Sequence, residues 1–346
     1  MRGNSVNTKE LLNTVTMIHS LITYNPIKPI TGLVELYAKE GIMKLGSTDG
    51  FTTVVAKVDC ENDIDNSVIS LSILLKLLKL TTKDTVEIKN MGKYIEFKGN
   101  GKYKIPIQLE ADGSDIVLPL SMDDLSNEVV YKPSDFELAI KRNKVAVYDG
   151  DSHEDFKLYY NYNGLLVTTN SMILAVTKIP NLPTGAIKPF IVESLSKLDN
   201  DILMGKYRAH CDNFEIQFNN KVWDDFPIDV VKPFIEMDFS ENQPIILSKK
   251  DMLNVIKRQS VFRNPFEEPT VKFCVEDRSL VVRNTQGTSE ERIDVEVNME
   301  NRVAVVKTDY VLGTLKNMEN DIRLYIEDDF ICIEDDLGRY IISVME

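Results

Sequence analysis

The chain has 346 residues, more than the ~100–200 of one ordinary domain, so its length predicts two or three compact units. Hydrophobic residues make up 43% and charged residues 27% of the chain, which excludes a disordered or fibrous protein. With 40 basic and 54 acidic residues, the formal net charge is −14. This excess of acid argues against a protein whose whole surface binds nucleic acid, but it is compatible with a local basic lining.

The sequence offers no membrane or metal signature. No apolar run approaches the ~18 residues of a membrane span, and the first residues lack the apolar core of a signal peptide, so we expect a cytoplasmic protein with no membrane partner. A metal or redox site needs cysteines that are close in sequence or supported by histidines. The cysteines are instead far apart, and we expect four reduced, mostly buried thiols and no metal. They are Cys60, Cys211, Cys274 and Cys332.

The first part of the chain predicts two helices and several strands. An amphipathic helix opens at residues 10–15 behind Thr8, which is a good N-cap residue. Alternating runs at 34–38 and 94–98 predict strands with one buried and one solvated face. A second helix is predicted over 71–80, and Gly99-Asn100-Gly101 predicts a hairpin turn.

The same order of elements returns twice along the chain. First helices are predicted at 135–140 and 251–256, and the N-cap residues Ser134 and Ser248 precede them. Second helices are predicted over 190–198 and 310–318. The accompanying strands and hairpin are predicted at 214–218, 271–275, 330–333 and Tyr162-Asn163-Gly164.

Each repeat therefore predicts two helices packed on one face of an antiparallel sheet. The whole chain is predicted to have an α+β fold made of three copies of this unit. Polar stretches near 112–127 and 240–244 mark the borders, so the predicted domains are 1–124, 125–241 and 242–346.

The residues of an active site are missing from the sequence. There is no GxxxxGK[ST] loop for nucleotide hydrolysis, and the histidines His19, His153 and His210 stand alone. Acidic pairs such as Asp123-Asp124 are abundant, but adjacent carboxylates on a strand point to opposite faces. We therefore expect no enzyme activity and no cofactor. A metal-dependent nuclease or phosphatase stays an alternative, as does an acidic, β-rich structural or scaffold protein without a DNA function.

Positive charge is concentrated on the predicted helices, whereas the acidic pairs fall mainly in loops and strand ends. An excess of basic residues on the helices recurs across the three repeats. This recurrence favours a helical surface that faces a phosphate backbone, and ordinary solvated helix faces are the less favoured interpretation. The basic residues on these helices include Lys141, Arg142, Lys197, Lys250, Lys257 and Arg258.

Several segments, in order along the chain, resemble the bacterial DNA polymerase III β sliding clamp. Residues 24–30 (Tyr-Asn-Pro-Ile-Lys-Pro-Ile) and 45–50 (Leu-Gly-Ser-Thr-Asp-Gly) are similar to the first domain of that family. Residues 167–175 are similar to its Ala-Thr-Asp-Gly-His-Arg-Leu-Ala segment, and residues 305–312 to its Asn-x-x-Tyr-Leu stretch. The end, residues 340–345, is similar to its Tyr-Val-Val-Met-Pro-Met terminus.

The resemblance implies a head-to-tail homodimeric ring of clamp domains, with helices lining a hole and sheets forming the outer wall. Double-stranded DNA would pass through the hole without sequence readout, and an ATP-driven clamp loader would open the ring. The ring would tether a DNA polymerase in the cytoplasm of a bacterium or an infected bacterial cell. The six basic residues named above would then face the hole.

The resemblance also implies a pocket that binds a short partner peptide through a glutamine and apolar anchors. This chain has Asn170-Ser171-Met172-Ile173 where the family has Asp-Gly-His-Arg, which makes the pocket more apolar. The alternative is that Ile173, Leu174 and Ile341 are ordinary core. The pocket positions are Tyr160, Thr169, Ser171, Met172, Ile173, Leu174, Pro227, Val231, Ile341 and Ser343.

The ring interface of the family maps to two separate places in this sequence. Ile105 and Ile107 are expected on a strand of the first domain, and Val261 and Phe262 at a helix end of the third. Apolar residues beside charged ones suit a protein interface with a polar rim. An edge strand and a helix end that are buried within one chain are the alternative.

Overall fold

The chain folds as α-helices and antiparallel sheets. The computed structural model describes residues 4–122, 128–179, 185–205, 207–218, 226–239, 243–262, 266–276, 278–295, 301–319 and 321–345. The predicted domain borders, after residues 124 and 241, lie outside these ranges.

Within the described residues one order of elements occurs three times: a strand, a helix, four strands, a helix and three strands. The first repeat comprises β1 (Asn4–Asn7), α1 (Thr8–Leu21), β2 (Leu33–Lys39), β3 (Ile42–Thr48), β4 (Thr52–Asp59), β5 (Ile64–Ser70), α2 (Leu71–Lys79), β6 (Thr85–Asn90), β7 (Tyr94–Lys98) and β8 (Lys102–Pro106). The second comprises β9 (Val129–Tyr131), α3 (Pro133–Asn143), β10 (Tyr159–Tyr162), β11 (Leu165–Thr169), β12 (Ile173–Lys178), β13 (Gly185–Ile187), α4 (Pro189–Leu195), β14 (Ile202–Met204), β15 (Arg208–Cys211) and β16 (Phe214–Phe218).

A helix outside this pattern, α5 (Ile228–Ile235), precedes the third repeat. That repeat comprises β17 (Ile245–Ser248), α6 (Lys249–Gln259), β18 (Thr270–Glu276), β19 (Ser279–Asn284), β20 (Glu290–Asp294), β21 (Val303–Lys307), α7 (Thr308–Lys316), β22 (Asp321–Ile326), β23 (Phe330–Asp335) and β24 (Gly338–Ser343). The predicted α+β class with two helices per repeat is confirmed.

Two of the three predicted helix caps are wrong. Asn7 caps α1, because its side chain accepts the backbone N–H of Glu10 at 3.0 Å, and Thr8 is the first helical residue. In α3 the helix already starts at Pro133, a favoured first position, so Ser134 lies inside it. Ser248 caps α6 as predicted and accepts the N–H of Asp251 at 3.4 Å.

The described residues divide into two compact units. Unit 1 spans Met1–Ser134 and Phe190–Val222, and unit 2 spans Asp135–Pro189 and Trp223–Glu346. Unit 1 contains a four-stranded sheet in the order β1-β6-β7-β8 and an eight-stranded sheet in the order β5-β2-β3-β4-β16-β15-β14-β9. On α1, the apolar residues Leu11, Val15 and Ile18 recur with helical spacing and are fully buried.

Unit 2 has the matching pair of sheets. Its eight-stranded sheet runs β13-β10-β11-β12-β24-β23-β22-β17, and its four-stranded sheet runs β20-β19-β18-β21. One core cluster joins α6 and α7 to these sheets, with Ile256, Leu315 and Phe273 fully buried in it. Each eight-stranded sheet thus joins two halves, through β4–β16 in unit 1 and through β12–β24 in unit 2.

Candidate functional site

In unit 2, α5 packs on one face of the eight-stranded sheet; we call this helix, together with the sheet face beneath it, the α5 cleft. Strand pairing places Leu174 of β12 beside Ile341 of β24, and Thr169 of β11 beside Leu174. Because residues directly opposite each other on neighbouring strands point to the same face of a sheet, these three share the face that α5 covers. Val231 and Ile235 of α5 belong to the same buried cluster as Leu174 and Ile341.

Aromatic side chains pack near both ends of α5. Tyr160 of β10 stacks on Phe226, with ring centroids 4.9 Å apart and an interplanar angle of 11°. Phe234 of α5 meets Phe330 of β23 edge-on at 5.8 Å. Offset and edge-on arrangements of this kind stabilise a packed surface beyond the area that they bury.

The β11–β12 turn brings polar residues to the edge of the cleft. The side-chain Oδ1 of Asn170 accepts the N–H groups of Met172 at 3.1 Å and Ile173 at 3.0 Å, and Ser171 has a positive φ of 75°. Asn is well suited to such a turn, because its side chain can replace a backbone acceptor. Ser343 donates its N–H to the carbonyl oxygen of Met172 at 2.9 Å, which holds the end of β24 against this turn.

One predicted pocket residue is wrong. Ile173 lies on the opposite face of β12 from Leu174, is 1% exposed and packs in the core of α6 and α7. It is ordinary core, as the alternative interpretation had it. The structure brings the other nine predicted residues together at the α5 cleft or its edge: Tyr160, Thr169, Ser171, Met172, Leu174, Pro227, Val231, Ile341 and Ser343.

Charged and polar groups surround the apolar floor. Arg339, two residues before Ile341, donates to the carbonyl oxygen of Met237 at 2.7 Å, and its guanidinium lies 5.5 Å from the centre of the Phe239 ring. Tyr162 donates to Glu236 at 2.5 Å, and this hydrogen bond raises the pKa of the Tyr162 hydroxyl. Burial raises the pKa of the Cys332 thiol to about 12, so this thiol stays neutral within the floor.

Sequence reasoning missed several residues of the α5 cleft, among them Phe226, Phe234, Ile235 and Phe330. Val231 and Ile235 are four residues apart, which is a helical signal. Prolines at 227 and 233 obscure this signal, because an internal proline normally argues against a helix.

The predicted basic surface residues divide into three groups. Lys141, Lys197, Lys250 and Lys257 are exposed on or just beyond their helices. Arg258 is also exposed, but its guanidinium pairs with the carboxylate of Glu291. The hydrogen bond from Arg258 lowers the pKa of Glu291, so both partners are charged at neutral pH.

Arg142 does not face solvent, and its predicted contact with DNA is wrong. Its side chain is 0% exposed and makes two hydrogen bonds of 2.8 Å to the carboxylate of Asp335, itself fully buried. The guanidinium also donates to the carbonyl oxygen of Asn317 at 3.1 Å, and the Tyr340 hydroxyl donates to the carbonyl oxygen of Arg142 at 2.9 Å. Arg142 is therefore part of the interior of unit 2.

The predicted interface residues differ in their exposure. Ile105 of β8 is 1% exposed, so the expectation that its side chain contacts another copy is wrong. Ile107 is half-buried and lies just after β8. Val261 is 76% and Phe262 49% exposed in the short turn that follows α6.

The described residues contain neither a metal-binding cluster nor a membrane-spanning helix. No group of three or more His, Cys, Asp or Glu side chains in that part of the chain is arranged to hold a metal ion. No helix there is long and apolar enough to cross a membrane.

The fold, in contrast to the sequence, has clear relatives. No protein-family model and no curated protein sequence matches the chain. The structure is similar to a DNA polymerase sliding clamp from Caulobacter crescentus, with 14% identity and a TM-score of 0.79, and to one from Pseudomonas aeruginosa, with 16% identity and a TM-score of 0.77. It is also similar to the DNA polymerase III β subunit of Thermotoga maritima, with 16% identity and a TM-score of 0.75. Each comparison covers 100% of both chains, so this chain has the fold of the bacterial DNA polymerase sliding clamps.

Proposed function

We propose that this chain is a sliding clamp: a non-enzymatic processivity factor that encircles double-stranded DNA as a homodimeric ring and tethers a DNA polymerase. The observation that carries the proposal is the match of the whole chain to solved sliding clamps, with 100% of both chains covered. A topological link needs no base-reading residues, because a ring stays on DNA without specific contacts. An ATP-driven loader would open the ring, and the work would take place in the cytoplasm.

The strand order supports closure of the ring by a second copy. Inside the chain, β4 pairs with β16 and β12 pairs with β24, so that two half-sheets join each time. The four-stranded sheets are the remaining halves, and β8 and β20 hold the equivalent positions at their edges. Pairing of β8 with β20 of another copy would complete a third eight-stranded sheet. Each chain would then contribute three domains, 1–124, 125–241 and 242–346, to the ring.

The contrast between the two eight-stranded sheets supports one partner site per chain. At the β12–β24 junction, the face that α5 covers carries Leu174 beside Ile341. At the β4–β16 junction the corresponding neighbours are Thr53 and Gln217. Buried apolar anchors provide most of the affinity of a short peptide, so the α5 cleft is the better partner site.

Four exposed lysines would contact phosphates inside the ring. Lys250 and Lys257 are seven residues apart on α6 and so lie on one stripe of the helix, while its buried side carries Met252 and Ile256. Lys141 and Lys197 hold similar positions at the ends of α3 and α4. Loose contacts between lysines and phosphates allow sliding, because they carry no sequence information.

The DNA role is tested by salt-dependent binding to duplex DNA and by retention on nicked circular DNA in the presence of a clamp loader and ATP. Changing Lys141, Lys197, Lys250 and Lys257 together to Gln should lower the salt slope by roughly three to four, since each phosphate contact contributes about 0.9. A matched control changes four lysines on strands or loops, Lys44, Lys83, Lys93 and Lys272, and should leave the slope unchanged. Wild-type protein should leave the circle when the DNA is cut to a linear form; equal retention on both forms would contradict a ring.

A further inference from the structure

The two units differ at one equivalent place on the helical side of their eight-stranded sheets. The helices α1 and α3 align by the spacing of their buried residues, and Met17 then corresponds to Arg142. The β15–β16 and β23–β24 turns align because each joins its strands through two residues, and Cys211 then corresponds to Asp335. The buried ion pair of unit 2 is therefore replaced in unit 1 by a thioether and a thiol.

A cavity lies at this place in unit 1. It has a volume of about 510 Å³ between α1, the segment after α4 and the β15–β16 turn, and its lining includes Met17, Leu198, Cys211 and Phe214. The Cys211 thiol donates to the carbonyl oxygen of Asn200 at 3.4 Å. Burial raises the pKa of this thiol, so Cys211 is neutral and offers no charge for an ion pair.

The opposite face of the two sheets shows the same contrast. In unit 2, α5 packs over Leu174 and Ile341, which are neighbours where β12 joins β24. In unit 1 the corresponding neighbours, Thr53 and Gln217, are half-buried polar residues. The β12–β24 ladder is thus packed on both faces, whereas the β4–β16 ladder has a cavity beside its turn on one face and half-exposed polar side chains on the other.

We propose that the β4–β16 junction of unit 1 is the hinge at which the chain bends when the ring opens, and that the Arg142–Asp335 pair holds the β12–β24 junction of unit 2 rigid. The inference rests on the proposed ring and adds the place at which each chain yields. Backbone hydrogen bonds of the β4–β16 ladder keep the half-sheets together and form the axis of the hinge. The cavity leaves room for α1 to approach the β15–β16 turn, whereas the same movement in unit 2 would break a buried ion pair in a close-packed interior.

Hydrogen exchange of the intact chain tests the difference in rigidity. Segments with fewer buried contacts open at a lower free energy, so their amides exchange faster. Amides of the β4–β16 ladder should exchange at least roughly ten-fold faster than those of the β12–β24 ladder. Equal exchange in the two ladders, or faster exchange in the β12–β24 ladder, would overturn the assignment of the hinge to unit 1.

Two engineered disulfides test the role of the hinge in opening. Ser20→Cys with Ser194→Cys ties α1 to α4 beside the cavity, at positions whose hydroxyl oxygens are 3.1 Å apart. Val145→Cys with Gly313→Cys is the matched control in unit 2, because a Cβ on Gly313 would lie 3.5 Å from the Cβ of Val145, a separation that a disulfide can span. Titration of free thiols verifies each cross-link, and the same protein in dithiothreitol is its own reference.

The measurement is the rate of loading onto nicked circular DNA by a clamp loader with ATP. Oxidation of the Ser20 and Ser194 variant should slow loading at least roughly ten-fold, whereas oxidation of the Val145 and Gly313 variant should change the rate by less than about two-fold. Unchanged loading in the first case, or equal slowing by both cross-links, would refute the hinge. Failure of the wild-type protein to load would instead refute the proposed function, on which the comparison of exchange between the two ladders does not depend.

Discussion

In unit 2, a buried ion pair joins Arg142 of α3 to Asp335 of β23. Asp335 accepts the two hydrogen bonds from Arg142 and also the N–H groups of Glu319 at 2.8 Å, Leu337 at 3.0 Å and Gly338 at 3.0 Å. Its carboxylate thus ties the end of α3 to the segment after α7 and to the β23–β24 turn. The carboxylate accepts five hydrogen bonds in the interior, and these offset the cost of burying its charge.

Removing one partner of this pair should be costly. Arg142→Met leaves the Asp335 carboxylate buried without its counter-ion, and the free energy of unfolding should fall by about 3–5 kcal/mol. Urea denaturation followed by circular dichroism measures the change. Lys141→Met, at the exposed neighbouring position on α3, should change stability by less than about 0.5 kcal/mol. A similar loss for both variants would contradict the assignment.

The sequence contained a signal for Arg142 that charge alone concealed. Phe136 and Ala139 are buried on α3, and position 142 continues their spacing of three, so helical periodicity places Arg142 on the buried face.

Ile173 is a different case. All of β12 except its last residue is buried, so alternation gives no indication of which face a side chain occupies. Only the strand pairing, Leu174 with Ile341, separates the core from the cleft.

At the scale of elements, the sequence predicted what is periodic and missed what is not. The first helices, the second helices and the five strands all occur. The predicted alternation of a buried and a solvated face holds for β16, whereas β7 and β23 are mostly buried on both faces. The helix α5 was not predicted, since its two prolines are typical of a loop and only packing on the sheet stabilises it. The fold was therefore more predictable than the site, because a regular pattern marks a core and no comparable pattern marks a cleft.

The contact between α6 and β20 should depend on pH. The hydrogen bond from Arg258 lowers the pKa of Glu291 from its ordinary value of 4.5, and that from Arg283 lowers the pKa of Glu290. A carboxyl group whose pKa is lower in the folded state stabilises that state above its unfolded pKa, and this stabilisation is lost as the pH falls through the folded value.

The contribution of these two carboxyl groups to the melting temperature should therefore be constant from pH 7 to about 5. Below about pH 4.5, the melting temperature should fall. Arg258→Gln should weaken the decline, because it removes the main cause of the lowered pKa of Glu291. Lys257→Gln, the adjacent exposed residue on α6, is the control and should leave the acid-side profile as in the wild type. An identical profile for all three proteins would show that the pair does not link α6 to β20.

At the scale of the whole molecule, the two edge strands have opposite charges. One face of β8 carries Lys102 and Lys104, whereas one face of β20 carries Glu290, Arg292 and Asp294, with an excess of one negative charge. Next to the end of α6, Val261 and Phe262 add exposed apolar surface. Opposite charges beside an apolar patch favour the pairing of these edges between two copies and oppose the pairing of like edges.

Charge reversal tests this closure of the ring. Lys102→Glu with Lys104→Glu should shift the protein from dimer to monomer in sedimentation equilibrium at low salt, and so should Glu290→Lys with Asp294→Lys. In a head-to-tail ring every interface joins β8 of one copy to β20 of the other, so combining all four changes in one chain restores opposite charges at both interfaces, and dimers should return. Lys39→Glu with Lys44→Glu, on β2 and β3 of the eight-stranded sheet of unit 1, should remain dimeric. Dimers that persist in both reversed pairs, or monomers in the combined variant, would show that these edges do not close the ring.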